Sequence, residues 1–318
     1  MTRVAAVDCG TNSIRLLVAD ADPATGAFAE LDRRMTIVRL GQGVDRTGRL
    51  APEALERTFA ACREYAEVIR EHGVPVERVR FVATSASRDA ENRDDFVRGV
   101  VEILGVEPEV ITGDREAEFS FTGATRELSG RDDLERPYLV VDIGGGSTEF
   151  VVGDEHVEAA RSVDVGCVRM TERHLVVDGA VTDPPTAEQV AAIRRDVEAA
   201  IDLASSTVPI GRARTLVGLA GSVTTVAAIA LGLTEYDSSR IHHARVSLEQ
   251  VRAVTERLLA AGHDERAAIP VVHPGRVDVI GAGALVLLAV MERTGAAEVV
   301  VSEHDILDGI AWSASEAR

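Results

Sequence analysis

The sequence predicts an α/β protein with mixed sheets, assembled from two similar halves. Two observations carry this. The pattern Asp, any residue, Gly, two residues, Ser occurs twice, as Asp8, Gly10, Ser13 in VAAVDCGTNSIRLLVA and as Asp142, Gly144, Ser147 in YLVVDIGGGSTEFVVG. Each pair of matched residues is 134 positions apart, and each copy is flanked by runs of Val, Leu, Ile and Ala. Each therefore reads as strand, tight Gly-containing turn, strand. After each hairpin the hydrophobic pattern alternates between strand-like and helix-like stretches, which is the signature of an α/β layer architecture.

Taken in order, residues 3–9 and 13–20 form the first hairpin, and a third strand covers 35–40. Pro52 opens a helix that runs to His72 and stops at Gly73. Strand 79–84 leads into a Ser-rich turn and a helix near 91–104. Strand 108–112 passes through Gly113 into a helix from 114 to 128. The polar stretch SGRDDLERP (129–137) ends in Pro and reads as a linker. The second half restarts with strands 138–143, 148–153 and 159–165 and a helix after Gly166. VTDPPTAEQV marks a turn and a helix to 205. Strand 215–219 runs through Gly-Leu-Ala-Gly-Ser into another helix. VSLEQVRAVTERLLAAG is an amphipathic helix with Ser247 as N-cap. The helix in DVIGAGALVLLAVMERTG ends at Gly295 and is apolar enough for a core or for the interface of a homodimer; both stay open. EVVVS is a final strand, and a short helix closes the chain. The expected domains are 1–128 and 129–303, with the helix in 304–318 packing back on the first.

Composition narrows the function. At 318 residues the chain can bury two cores. No apolar run reaches the roughly 18 residues of a membrane span, and the N-terminus shows no signal-peptide pattern. Three widely separated cysteines, Cys9, Cys62 and Cys167, form no zinc pattern and fit a reducing cytoplasm. The net charge of −18 argues against coating a nucleic acid. All 34 basic residues are Arg, so a Walker loop and Schiff-base chemistry, which need Lys, are excluded. Any basic contact with a phosphate must come from Arg, backbone or metal.

The candidate residues follow. A Gly-rich hairpin loop presents backbone N–H groups and a Ser hydroxyl to an anion, and the Asp ending the incoming strand can hold a divalent cation beside it. The plain alternative for Gly10 and for Gly144, Gly145 and Gly146 is a turn that needs positive φ. Ser147 and Glu149 share a face of the outgoing strand, so Glu149 can point toward Asp142; Arg15 stands at the matching place in the first half. Arg88, in TSASRDAEN after a strand, is either a ligand-reaching side chain at the carboxyl end of the sheet or a solvated Arg paired with Asp89 or Glu91. Asp114 and Glu116 sit in a first helical turn, where acids favour the helix dipole; Glu116 is also placed as a general base would be. Gly221 and Ser222 in GLAGSVTT lie at a helix N-terminus, a weaker anion site. His242 and His243, read as neighbours on a strand, point to opposite faces and make a poor metal pair. His304 follows Ser302, which is read as a helix N-cap. Cys9 and Cys167 read as buried thiols.

These segments together resemble the exopolyphosphatase / guanosine pentaphosphate phosphatase (Ppx/GppA) family, part of the larger group of actin, sugar kinases and heat-shock chaperone ATPases. DCGTNSIRLLV, ATSASRDAEN, ITGDREAEFSF, DIGGGSTEFVVG, SVDVGCVRMTE and GLAGSVTT occur in the family's order and spacing, from residue 3 to residue 312. The resemblance implies two ribonuclease-H-like domains with mixed sheets around an inter-domain cleft, and metal-dependent hydrolysis of a terminal phosphoanhydride. By position, Glu116 falls on the catalytic glutamate and Arg88 on the essential arginine. Asp142 and Glu149, with Asp8, fall on acidic positions associated with Mg2+ or another divalent cation such as Mn2+. Asn12, Ser13, Gly144, Gly145, Gly146, Ser147, Gly221 and Ser222 fall on phosphate-binding turns. Arg115 stands where an acidic residue often precedes the catalytic one. The long C-terminal extension of many members is not part of this sequence, which implies short polymers. Exopolyphosphatase activity is the expectation. Guanosine pentaphosphate is the rival substrate, and an ATPase or kinase, or a non-catalytic polyphosphate sensor, are more distant rivals.

Overall fold

The structure, a computed structural model, describes residues 1–128, 131–177 and 180–316. The chain divides into two compact units, Met1–Gly123 with Ile306–Arg318, and Ala124–Asp305.

In the first unit, β1 (Thr2–Cys9), β2 (Ser13–Asp22) and β3 (Ala27–Ile37) form an antiparallel meander. The meander is joined by β4 (Val79–Ala83) and β5 (Glu109–Val110), which run parallel to β1, in the order β3-β2-β1-β4-β5. β1 and β2 are buried on both faces, so they read as continuous apolar runs. Odd residues of β1 (Ala5, Val7, Cys9) pack with Tyr65 of α2 (Pro52–Glu71) and Phe96 of α4 (Arg93–Leu104). Even residues (Val4, Ala6) pack with Phe119 of α5 (Gly113–Thr125). Two short helices, α1 (Val44–Thr47) and α3 (Ser85–Asp89), complete this part.

The second unit repeats the plan. β6 (Tyr138–Ile143), β7 (Thr148–Gly153) and β8 (Val157–Val163) form an antiparallel meander; β11 (Thr215–Leu219) and β13 (Glu298–Val301) extend it in parallel. A separate two-stranded ribbon, β9 (Val176–Val177) with β10 (Ala180–Val181), lies between them in sequence, and β12 (Arg245–Ser247) adds an antiparallel edge. Read from β8, the order is β8-β7-β6-β11-β13-β12, the first unit's order plus one strand. Leu139, Val141 and Ile143 face the helical core. That core contains α6 (Cys167–His174), α7 (Ala187–Ser205), α8 (Ala220–Ala230), α10 (Leu248–Ala260) and α12 (Ile280–Thr294). α9 (Ser238–Ile241) and α11 (His263–Ala267) are single turns. α12 is buried along nearly its whole length, which places the apolar helix in the core. The chain then returns to the first unit, where α13 (Ile306–Glu316) covers the even face of β1. No helix among the described residues is long and apolar enough to cross a membrane.

The helix ends obey local rules. Pro52 opens α2, Thr186 and Ser247 each close a capping box with the Gln three residues on, and α12 stops at left-handed Gly295. Two expectations needed correction. The third strand is Ala27–Ile37, not 35–40. Its charged run hides it, because edge strands carry charge against further pairing; Arg33–Glu30 and Arg34–Asp32 pair along it. The Ser-rich turn after β4 is the helical turn α3, not a loop. The segment read as a linker (129–137) lies outside the described residues at 129–130; from 131 it is bent and braced by Arg131 on Asp133.

Candidate active site

The two hairpin loops share one backbone. Gly10 N–H donates to Ser13 O at 2.9 Å, and Gly144 N–H donates to Ser147 O at 3.0 Å. None of Gly10, Gly144, Gly145 or Gly146 adopts positive φ, so left-handed backbone is not why glycine stands there. Close approach is the reason in the second loop. A Cβ on Gly166 would run into the Gly145 carbonyl, and the start of α6 is seated directly on the loop. The Cys167 amide donates to Gly144 O, the Val168 and Arg169 amides donate to Gly145 O, and Arg169 Nε donates to Gly146 O. The loop's carbonyls are thereby consumed. Among the described residues, no backbone hydrogen bond uses the amides of Gly145 or Gly146. Such an array of amides suits an anion. In the first loop the same service comes from an irregular segment: Val38 and Arg39 amides donate to Asn12 O and the Gly41 amide to Thr11 O.

The side chains across each hairpin differ. Asp8 lies directly opposite Arg15, whose Nη2 and Nε reach Asp8 Oδ2 at 2.6 and 3.0 Å. Asp142 lies directly opposite Glu149. Both are almost fully buried, and Glu149 Oε1 accepts from Ser162 Oγ at 2.7 Å. Like charges directly opposite on a sheet destabilise it, so two buried acids on one face form a donor set suited to a hard cation with oxygen ligands.

Arg88 and Glu116 come together in the first unit. Arg88 Nη1 donates to Glu116 Oε2 at 3.1 Å and to Ile111 O at 2.9 Å. Arg88 is thus not a solvated loop Arg: Glu91 lies instead against Arg49. Glu116 is 8% exposed, and at the start of its helix Thr112 Oγ1 accepts from the Arg115 amide. Both Arg88 bonds use one nitrogen, which leaves Nη2 and Nε for an anion. Arg115 points elsewhere, onto Glu118 and the Phe119 ring.

Beyond β11 the turn carries strain. Ala220 has φ +67°, an uncommon state for a residue with a Cβ. Asp142 is in register with Leu219, so this turn borders the acid pair. A Cβ on Gly221 would collide with the Arg276 guanidinium, whose Nη1 donates to Gly221 O at 3.3 Å. Arg276 escaped the sequence reading because an Arg in a Pro-Gly turn looks solvated; only the bulk-free Gly221 hints at something lying across it. Ser222 is buried beside Cys167 and Gly283. Burial pushes the Cys9 and Cys167 thiols up and Cys62 up to about 12, so all three are inert as nucleophiles.

The histidines correct two expectations. His242 and His243 are not on a strand: His242 caps α9, His243 has φ +61°, and their rings stack at 3.7 Å. Ser302 does not cap α13, which begins at Ile306; its hydroxyl engages the His304 backbone. His242 Nε2 and His304 Nδ1 both meet Glu127 Oε2, at 3.1 and 3.2 Å. The set has metal-like spacing. However, His242 Nδ1 accepts from the Glu303 amide at 3.1 Å, so the neutral ring carries its proton on Nε2. A metal-ligating His needs the reverse, a lone pair toward the ion and a donor on the far nitrogen. The cluster is therefore a hydrogen-bonded network centred on Glu127.

The model of the Ppx/GppA phosphatase family matches residues 17–316. The chain belongs to that family. It is 51% identical to a Mycobacterium tuberculosis protein named Exopolyphosphatase 2, over 98% of both chains. It is 28% identical to an Aeromonas salmonicida guanosine-5'-triphosphate,3'-diphosphate pyrophosphatase, over 97% of this chain but 58% of that longer one. Among solved structures, an exopolyphosphatase-like protein superposes with a TM-score of 0.92 at 46% identity over 99% of both chains. The Aquifex aeolicus family member gives 0.78 at 30% identity, over 98% of this chain and 97% of that one.

Proposed function

We propose that the chain is an exopolyphosphatase that hydrolyses the terminal phosphoanhydride of inorganic polyphosphate and releases orthophosphate. The choice of polyphosphate is supported by the 51% identical relative of the same length. The chemistry is supported by one geometric observation above all: a buried glutamate, Glu116, held in place by an arginine with donors to spare.

The residues divide the work as follows. The amides of the Gly144–Ser147 loop, Asn12 and Ser13 in the first loop, and Gly221 with Ser222 bind phosphate oxygens, and Arg276 adds charge at the last of these. Arg88 binds the terminal phosphoryl group through Nη2 and Nε while Nη1 keeps Glu116 oriented. Glu116 accepts a proton from the attacking water, in line with the bond to be broken. Asp142 and Glu149 hold Mg2+ or Mn2+. When bound, such an ion neutralises charge on the non-bridging oxygens. Asp8, already matched by Arg15, is the weaker candidate for that role. Positioning and electrostatics supply most of the rate.

Removal of the γ-phosphate from guanosine pentaphosphate is the second reading, supported by the Aeromonas relative. One panel separates them: orthophosphate release with Mg2+ from short polyphosphate, long polyphosphate, guanosine pentaphosphate and ATP. Short polyphosphate is expected to be consumed fastest. Preference for guanosine pentaphosphate would transfer the assignment, ATP turnover alone would move it to the kinase group, and binding without release would make the protein a sensor.

A further inference from the structure

Asp142, Glu149 and Ser162 form one row across the second meander. Asp142 is the register partner of Glu149, and Glu149 is the register partner of Ser162. Residues directly opposite on neighbouring strands share a face, so a hydroxyl and two carboxylates stand in line on β8, β7 and β6. The hydroxyl donates to Glu149 Oε1 at 2.7 Å, a well-formed O–H···O bond. Glu149 is 1% exposed, so this bond lies in the interior of the sheet face, away from solvent.

We propose that Ser162 is a positioning residue for the cation-holding pair: it fixes one oxygen of Glu149 and turns the other toward Asp142. The inference rests on the reading of Glu149 as a cation ligand. The first meander shows what the serine avoids. There the matching row is Asp8, Arg15 and Met35. The guanidinium cancels the Asp8 charge, and Met35 offers no donor. A serine orients its acid without adding positive charge to the row that would hold a divalent ion. A Lys or Arg in that place would compete with it.

The test titrates Mn2+ alone into the full chain, with free ion read by electron paramagnetic resonance. Ser162→Ala is expected to weaken Mn2+ binding about tenfold, the scale of one hydrogen bond to a charged group. Ser162→Thr should restore it, and Ser162→Val, of the same shape as Thr, should not. In a Glu149→Gln background, Ser162→Ala should change nothing further. Wild-type affinity in both Ser162→Ala and Ser162→Val overturns the inference. So does an equal loss with and without Glu149, which marks a merely structural serine. If Glu149→Gln itself binds Mn2+ like the wild type, the reading of Glu149 has failed instead. The Thr and Val pair keeps the answer readable should the Ala variant fold poorly.

Discussion

In the first hairpin an aspartate faces an arginine; in the second, an aspartate faces a glutamate. The loops between them are alike down to the Gly–Ser backbone bond. The sheets around them share the order of five strands, the second adding one at its edge. One position in an otherwise repeated frame thus puts an acid where the first hairpin has a base. An ion pair completes itself and needs no ligand. Two buried acids side by side offer oxygen ligands that a cation can share. Under the proposed function the repeat offers two anion-receiving turns, and the divergence at Arg15 and Glu149 is the reason the cation is proposed at the second.

The largest effect expected lies outside the divergent pair and checks that the chemistry belongs to neither hairpin. Glu116→Gln should cut turnover by about 10²- to 10⁴-fold, the usual worth of a general base. Polyphosphate binding, followed by calorimetry, should survive. Near-normal phosphate release would remove the base from the account and leave the hairpins to supply it.

The backing of the two loops gives a second contrast. Gly166→Ala drives a Cβ into the Gly145 carbonyl, whereas a Cβ on Gly10 meets only ordinary contact, 3.5 Å from Ser13 O. Gly166→Ala should cost about 1–3 kcal/mol and lower phosphate affinity, while Gly10→Ala should cost little. Urea unfolding of both variants compares them directly. Equal stability would mean that α6 does not brace the second loop.

A smaller effect comes from the histidine stack, away from both hairpins. Burial, and after it the charge of His242, lowers the His243 pKa to about 4. Between the ordinary value near 6.5 and about 4, the unfolded chain binds a proton that the native chain does not. Stability therefore falls as pH drops through that window. Glu127 adds to the acid side: hydrogen bonds from His242, then His304, hold its carboxyl well below the usual range. Its contribution is present above the ordinary carboxylate value and fades as pH falls below it. Arg131 Nη1 meets His243 Nδ1 at 3.2 Å, so His243→Asn, which keeps an acceptor for Arg131, should flatten the loss between pH 6.5 and 4.5 in urea melts. An unchanged slope would place the acid sensitivity elsewhere, the Asp142–Glu149 pair included.

Much of this was legible in the sequence because it was local. The hairpins, Pro52, Ser247 and Gly295 announce themselves through pattern and turn chemistry. Glu149 could be placed beside Asp142 from strand period alone. What was hidden depends on partners distant in sequence. Arg88 looked solvated because its partner, Glu116, lies 28 residues away on another helix. The tautomer of His242 is set by an amide 61 residues on. β3 was missed because an edge strand wears the charges of a loop. Arg276 carries no motif, and Ser162 opens the SVDVGCVRMTE segment without a role of its own being readable there; each becomes informative through what it touches, Gly221 in one case and Glu149 in the other.

The central claim, that two like hairpins divide their labour by one residue, meets its most direct test in cation binding by matched variants. Mn2+ affinity is to be compared for the wild type, Asp8→Asn and Asp142→Asn, each checked for a normal thermal melt. Asp142→Asn should lose most of the affinity and Asp8→Asn should keep it within a few fold. Equal losses in the two, or a loss confined to Asp8→Asn, would contradict the account.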